Sequence, residues 1–204
     1  MNKKETILHV ATKLFSEKGY RNTAVAELAR LTDVAEGTIF YHFKTKEGLF
    51  LAILENIRQT LISEFERFFK EKTFESGLEM LEDSIFFYLY LVGTKEELFL
   101  ILHRYDAYEL AQVNPVFRKN FSAIYNFILD TFERAILRGA RDGSIDDLPA
   151  GKTAFIVFAM VDGIARLKTF NLYDSSALFE QLITSCRRML QKHPRWAVGQ
   201  DGIT

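Results

Sequence analysis

Apolar residues return every three or four positions along this chain, and no convincing alternation of period two appears, so the pattern predicts helices and no strands. Ile7, Ala11, Leu14 and Phe15 mark a helical face running from near Lys3 or Lys4 to Lys18, with Gly19 placed to take the left-handed conformation that closes a helix. Val25, Leu28 and Ala29 mark a second, short face, for which Thr23 is the expected N-cap. Thr32-Asp33 interrupts it, and Val34, Ile39 and Phe43 resume an apolar face over about Ala35 to Phe43. Two short helices packed at an angle form a helix-turn-helix pattern. The polar side of the second carries Gly37, Thr38, Tyr41 and His42, groups able to enter a major groove.

A longer helix is expected from Thr45, with Phe50, Ile53, Leu54, Ile57, Leu61, Phe65, Phe68 and Phe69 on one face; it reads as a lever connecting two regions. Leu78, Leu81, Ile85, Tyr88, Leu89 and Val92 predict the next helix, which Gly93 should end. Thr94-Lys95-Glu96-Glu97 has the form of a capping box for another, carrying Leu98, Ile101, Leu102 and Tyr105. Asn114-Pro115 is a start signal, an N-cap followed by proline at the first helical position, and the helix should run to about Arg141 before Asp142-Gly143-Ser144. Two more are expected, from Asp147–Pro149 to before Asn171 and from about Ser175 to Gln191, and Pro194 stops the second of them. About nine helices and an all-α fold follow.

Composition supports a buried core: 204 residues, 48% of them apolar and 14% aromatic. The single cysteine, Cys186, excludes an internal disulfide, and no apolar run is long enough for a signal or membrane-spanning segment, so a cytoplasmic location with no membrane partner is expected. Net charge is −1, yet residues 1–48 carry eight Lys and Arg against six Asp and Glu, leaving the remainder at −3. That asymmetry lends weak support to a nucleic-acid partner, which needs cations to displace phosphate counterions.

The order of residues says more than their periodicity. Ile7-Leu8 through Leu14-Phe15, Gly19-Tyr20, Thr23, Glu27-Leu28-Ala29, Gly37-Thr38-Ile39-Phe40-Tyr41-His42-Phe43 and Lys46-Glu47-Gly48-Leu49 closely resemble the amino-terminal domain of the tetracycline-repressor (TetR) family, over about the first quarter of the chain. The resemblance implies a helix-turn-helix DNA-binding domain over residues 1–47 and an effector-binding and dimerisation domain over 48–192; two glycines and little periodicity predict a loose tail over 193–204. The resemblance also implies backbone approach at Gly37, base or phosphate contact at Thr38, and phosphate contacts from Tyr41, His42 and, on the following helix, Lys46. An exposed helix start at Thr23 is a further phosphate site. Phe40 stands where the family usually has tyrosine, so a ring edge against a thymine methyl replaces the hydroxyl, and Asp33 occupies the place of a turn glycine. Glu36 either accepts from a cytosine amino group or is merely solvated.

In the family, the connecting helix and the three after it enclose an effector pocket. Phe65, Tyr88, His103, Tyr105 and Tyr125 are the lining candidates here, although aromatics at helical spacing also simply fill cores. The family's last two helices pair with their copies, which implicates Phe155, Phe158, Ala159, Gly163, Leu182 and Cys186; Gly163 costs roughly 1 kcal/mol inside a helix, and close approach of another helix is a reason to keep it. The expected protein is a ligand-responsive regulator, most simply a repressor, binding a palindromic double-stranded DNA operator as a homodimer and released by a small, largely apolar effector. The competing reading is a helical dimer that binds a hydrophobic small molecule without sequence-specific DNA binding. His9, His103 and His193 lack ligand spacing, and no phosphate loop, nucleophile elbow or paired cysteines occur, so neither metal, cofactor nor enzymatic activity is expected.

Overall fold

A computed structural model describes residues 2–172 and 177–191 of the protein. Among these residues the chain forms ten helices: α1 (Lys3–Asn22), α2 (Val25–Leu31), α3 (Glu36–Phe43), α4 (Lys46–Glu71), α5 (Gly77–Thr94), α6 (Glu96–His103), α7 (Tyr105–Val113), α8 (Pro115–Asp142), α9 (Ala150–Thr169) and α10 (Leu178–Leu190). The expected start of the last helix near Ser175 and the tail over 193–204 lie outside the described residues.

Helices α1 to α3 close around Ile7, Ala11, Leu14, Phe15, Leu28 and Ile39, all 5% exposed or less. The Asn2 side chain accepts from the Glu5 N–H while the Glu5 carboxylate accepts from the Asn2 N–H, a reciprocal cap that fixes where α1 begins. Gly19 breaks the helical path where expected, but at φ 82° and ψ 168° it lies outside the left-handed helical conformation, and helical turns resume to Asn22. Helix α4 leaves this bundle closely packed: a Cβ on Gly48 would stand 2.1 Å from the Phe43 carbonyl oxygen, so only glycine fits there. Phe50 then meets Phe15 edge-on at 5.5 Å and stacks on Phe117 of α8 at 5.6 Å, joining head and body through one side chain.

In the body, α8 packs against α5, α9, α4 and α7, and Phe117, Ile128, Phe132 and Ile136 of its inner face are 2% exposed or less. The start of α5 touches α8 backbone to backbone, since a Cβ on Gly77 would lie 2.0 Å from the Gly139 nitrogen. Asn114 caps α8 as expected, accepting from the Val116 N–H at 2.9 Å, and Gly143 ends it in left-handed geometry.

Three expectations give way between residues 93 and 113. Gly93 lies within α5, whose last residue is Thr94, so no capping box forms: the N-cap of α6 is Lys95, with no side-chain bond. Helix α6 stops at His103, and Arg104, extended at ψ 143°, separates it from the additional helix α7 that Tyr105 opens.

Candidate DNA interface and effector site

The turn between α2 and α3 is built from local hydrogen bonds. The Thr32 hydroxyl donates to the Leu28 carbonyl at 2.7 Å, and the Val34 N–H reaches back to the Ala29 carbonyl at 3.1 Å. Between them Asp33 sits at φ 51°, the left-handed geometry that aspartate tolerates. Ile39 and Phe43 point inward, 1% and 6% exposed, which turns the opposite side of α3 to solvent. Glu36 and Gly37 are exposed there, Phe40 is 40% and Tyr41 74% exposed, and Thr38 and His42 are half-buried. A Cβ on Gly37 would meet nothing within 4 Å, so packing within the protomer does not demand glycine at this place. Lys44 was not singled out from sequence, yet its ammonium lies 5.6 Å over the Tyr41 ring and adds a cation to the same face.

Two of the expected phosphate contacts are already occupied within the protomer. The Thr23 side chain is buried, and its hydroxyl donates to the Gly19 carbonyl at 2.8 Å, closing the end of α1. The N-cap of α2 is therefore Ala24, with no side-chain bond, a correction caused by the competing carbonyl. Lys46 lies 4.6 Å over the Tyr20 ring and 3.4 Å from the Arg21 carbonyl, and burial holds its ammonium below the usual lysine range, partly offset by Glu47 and Asp106.

The same end of α1 is tied to the body. Arg104, in the break between α6 and α7, donates to the Ser16 carbonyl at 2.9 Å; the Asp106 carboxylate accepts from the Tyr20 N–H; and Arg21 pairs with Glu109. An open recess of about 750 Å³ lies along this junction, with Tyr105, 75% exposed, among its lining residues.

The five residues expected around an effector do not line one cavity, although His103 shares the junction recess with Tyr105. Phe65 faces a cavity of about 770 Å³ between α4, α5 and α8, walled by Phe69, Phe74, Met80 and Phe127 and rimmed by Glu66, Lys70, Lys72, Arg134 and Arg138. Sequence periodicity missed the rim because its cations sit on polar faces of separate helices. Tyr88 and His103 instead join a buried polar network: the Tyr88 hydroxyl donates to Asp162 Oδ1 at 2.9 Å, His103 Nε2 lies 3.1 Å from the same oxygen, and Arg166 donates to Oδ2 at 3.0 Å. Burial, reinforced by the Asp162 charge, pushes the Tyr88 and Tyr125 hydroxyls well above the usual tyrosine range, so both remain protonated donors. Tyr125 shares a 2.9 Å hydrogen bond with Tyr108.

The expected interface residues divide in the same way. Phe155, 61% exposed, Ala159 and Gly163 lie four residues apart on the solvent face of α9, and a Cβ on Gly163 would meet nothing within 4 Å in the protomer. Phe158, Leu182 and Cys186 are buried within the protomer. Ile156 on α9 and Leu178 on α10, 53% and 43% exposed, are further apolar groups that the sequence reading omitted. Among the described residues no group of three or more His, Cys, Asp or Glu could hold a metal, and no helix is long and apolar enough to cross a membrane.

The sequence model of the family described as bacterial regulatory proteins, tetR family, matches residues 7–53, the stretch that builds α1 to α3 and the start of α4. The HTH-type transcriptional regulator QacR of Staphylococcus aureus is 48% identical over 60 residues, 29% of this chain and 31% of that protein. The HTH-type transcriptional regulator AcrR of Shigella flexneri is 30% identical over 138 residues, 65% of this chain and 64% of that protein, so the match spans less than two thirds of either regulator. The structure of the transcriptional regulator FadR from Bacillus subtilis, in complex with stearoyl-CoA, superposes with a TM-score of 0.74 at 24% identity, covering 89% of this chain and 96% of that one. Residues 7–53 are a tetR-family helix-turn-helix domain, and the all-α fold that follows is the one seen in solved regulators of that family.

Proposed function

We propose that the protein is a homodimeric, ligand-responsive repressor that acts in the cytoplasm on a palindromic DNA operator. The DNA-contacting set is Glu36, Gly37, Thr38, Phe40, Tyr41 and His42 of α3 with Lys44 and Lys46 behind it. Thr23 contributes through the chain it fixes, because its hydroxyl is held by Gly19. Residues 1–47 act as the reading head, and the rest of the described chain binds effector and pairs with its copy.

The observation that carries this reading is the course of α4. Lys46 opens the helix beside α3, and Phe65 of the same helix floors the cavity. At 1.5 Å per residue the two are about 28 Å apart along one rigid rod. A ligand that shifts the far end of α4 displaces the head relative to Phe117 and the α1 junction, and its power to do so equals its difference in affinity between the two arrangements. The effector is small and largely apolar, in keeping with the phenylalanine walls; that FadR, a protein of the same fold, holds stearoyl-CoA supports an acyl chain among the candidates.

Pairing through the outward Phe155, Ala159 and Gly163 strip of α9 with α10 would present two α3 helices to successive major grooves, roughly 34 Å apart. Footprinting on the DNA upstream of the protein's own gene tests the reading: a protected inverted repeat supports it, and uniform protection without a preferred site refutes it.

A further inference from the structure

The rim of the α4–α5–α8 cavity does not match a wholly apolar guest. Its floor is aromatic: Phe65 meets Phe127 edge-on at 5.7 Å and Phe87 at 5.0 Å, and Phe69 lies 5.7 Å from Phe74. Four cations surround the mouth, Lys70 and Lys72 from the end of α4 and Arg134 and Arg138 from two successive turns of α8, against the single carboxylate of Glu66. Two of them are engaged by other groups. Lys72 pairs with Asp83 at 2.5 Å, and Arg138 donates to the Phe74 carbonyl at 2.6 Å and lies 4.0 Å from Asp142. Arg134 donates only to uncharged oxygens, the Asp130 carbonyl and the Thr131 hydroxyl, each at 3.3 Å, and Lys70 meets no carboxylate among the described residues.

A neutral apolar ligand entering here would strip water from Arg134 and Lys70 and return nothing for it, whereas an anion at the same point restores charge-assisted hydrogen bonds. We propose that the effector is an amphipathic anion, with an acyl or aryl body on the phenylalanine floor and a carboxylate or phosphate at the mouth bound by Arg134 and Lys70. This rests on the reading of the cavity as the effector site and names the class of ligand it takes. Arg138 holds the Phe74 carbonyl and so positions the wall that the body lies against.

Isothermal titration of the full chain with palmitate, palmitoyl-CoA and hexadecanol tests the proposal. At least one of the two anions binds about tenfold or more tightly than the neutral alcohol, the size expected of one charge-assisted contact. Binding of palmitate identifies a free acid as sufficient, and binding of palmitoyl-CoA alone assigns the mouth to phosphate. In the Lys70→Gln, Arg134→Gln double variant, both positions being exposed, the preference falls to near unity, and Glu66→Gln strengthens anion binding. Equal or tighter binding of hexadecanol, binding of none of the three, or a preference that survives in the double variant would overturn it. Operator binding followed in parallel separates the two levels. Release by hexadecanol and not by the anions removes the anion while keeping the regulator, and anion preference in a protein that binds no operator does the reverse.

Discussion

His103 of α6 lies 3.1 Å from the Asp162 carboxylate of α9, and the residue after it, Arg104, donates to the Ser16 carbonyl of α1. A buried carboxylate of the body is thus two residues removed from the anchor of the DNA-reading head. Asp162 also receives the Tyr88 hydroxyl and Arg166, and the second His103 nitrogen lies 3.2 Å from the Thr169 hydroxyl, so the network ties α5, α6 and α9 together.

Removing the hub leaves its donors stranded. Asp162→Ala should destabilise the protein by about 2–3 kcal/mol, reduced from the buried limit because the Arg166 side chain is 35% exposed. Tyr88→Phe, which removes one donor and strands nothing charged, should cost about 1–2 kcal/mol. Urea unfolding of both variants decides it; equal or inverted costs contradict the assignment of Asp162 as hub.

On the reading head, Lys46→Ala should weaken binding to specific and unrelated DNA alike and lower the slope of log affinity against log salt by about one. Affinities over a salt series give the slope. An unchanged slope means that the ammonium stays with the Tyr20 ring and the Arg21 carbonyl.

A Cβ at Gly163 meets nothing within 4 Å in its own protomer and the position is exposed, so Gly163→Leu should leave helicity and unfolding nearly unchanged while shifting the sedimentation equilibrium toward monomer. A dimer as tight as the parent's refutes close packing at this glycine.

Cys186 is fully buried, and burial together with the Glu82 charge pushes its thiol up to about 11. The native protein should resist a thiol reagent at pH 8 and react fully once unfolded, because the thiolate is the nucleophile. Rapid labelling without denaturant would contradict the inward orientation.

Asp142 joins the ends of α8 and α5 by accepting from the Gly77 N–H at 2.7 Å and from the Ser144 N–H at 3.0 Å. Hydrogen bonds from Ser144 and Gly77 hold its carboxyl below the ordinary value of 3.8. The resulting stability is fully present above that value and is lost as pH falls through the folded-state pKa. Asp142→Asn should therefore melt below the parent at pH 7, and the gap should close below pH 3.8; a gap constant from pH 7 to pH 2 contradicts this.

Much of the fold was legible because its signals are local. Asn114-Pro115 and Gly143 bound α8 through backbone chemistry that neighbours do not alter, and Asp33 takes the left-handed turn foreseen for it. Where a local signal met a tertiary competitor it failed: the Thr23 hydroxyl goes to the Gly19 carbonyl, and Thr94 remains in α5. The break at Arg104 was invisible because Ile101, Leu102 and Tyr105 continue a helical spacing across it. The cavity rim was illegible for another reason. Lys70 and Arg134 are ordinary surface cations in sequence, and only the packing of α4 beside α8 brings them to one mouth.

The central claim, regulation through sequence-specific DNA binding, is tested most directly by fluorescence anisotropy. The full chain is titrated into a labelled duplex from upstream of its own gene, and into a scrambled duplex of equal composition, at about 0.15 M salt, where specific sites typically bind at least about 10³-fold more tightly than non-specific DNA. The account predicts a preference of that order, two protomers per site, and its loss in Tyr41→Ala. Equal affinity for the two duplexes would contradict it.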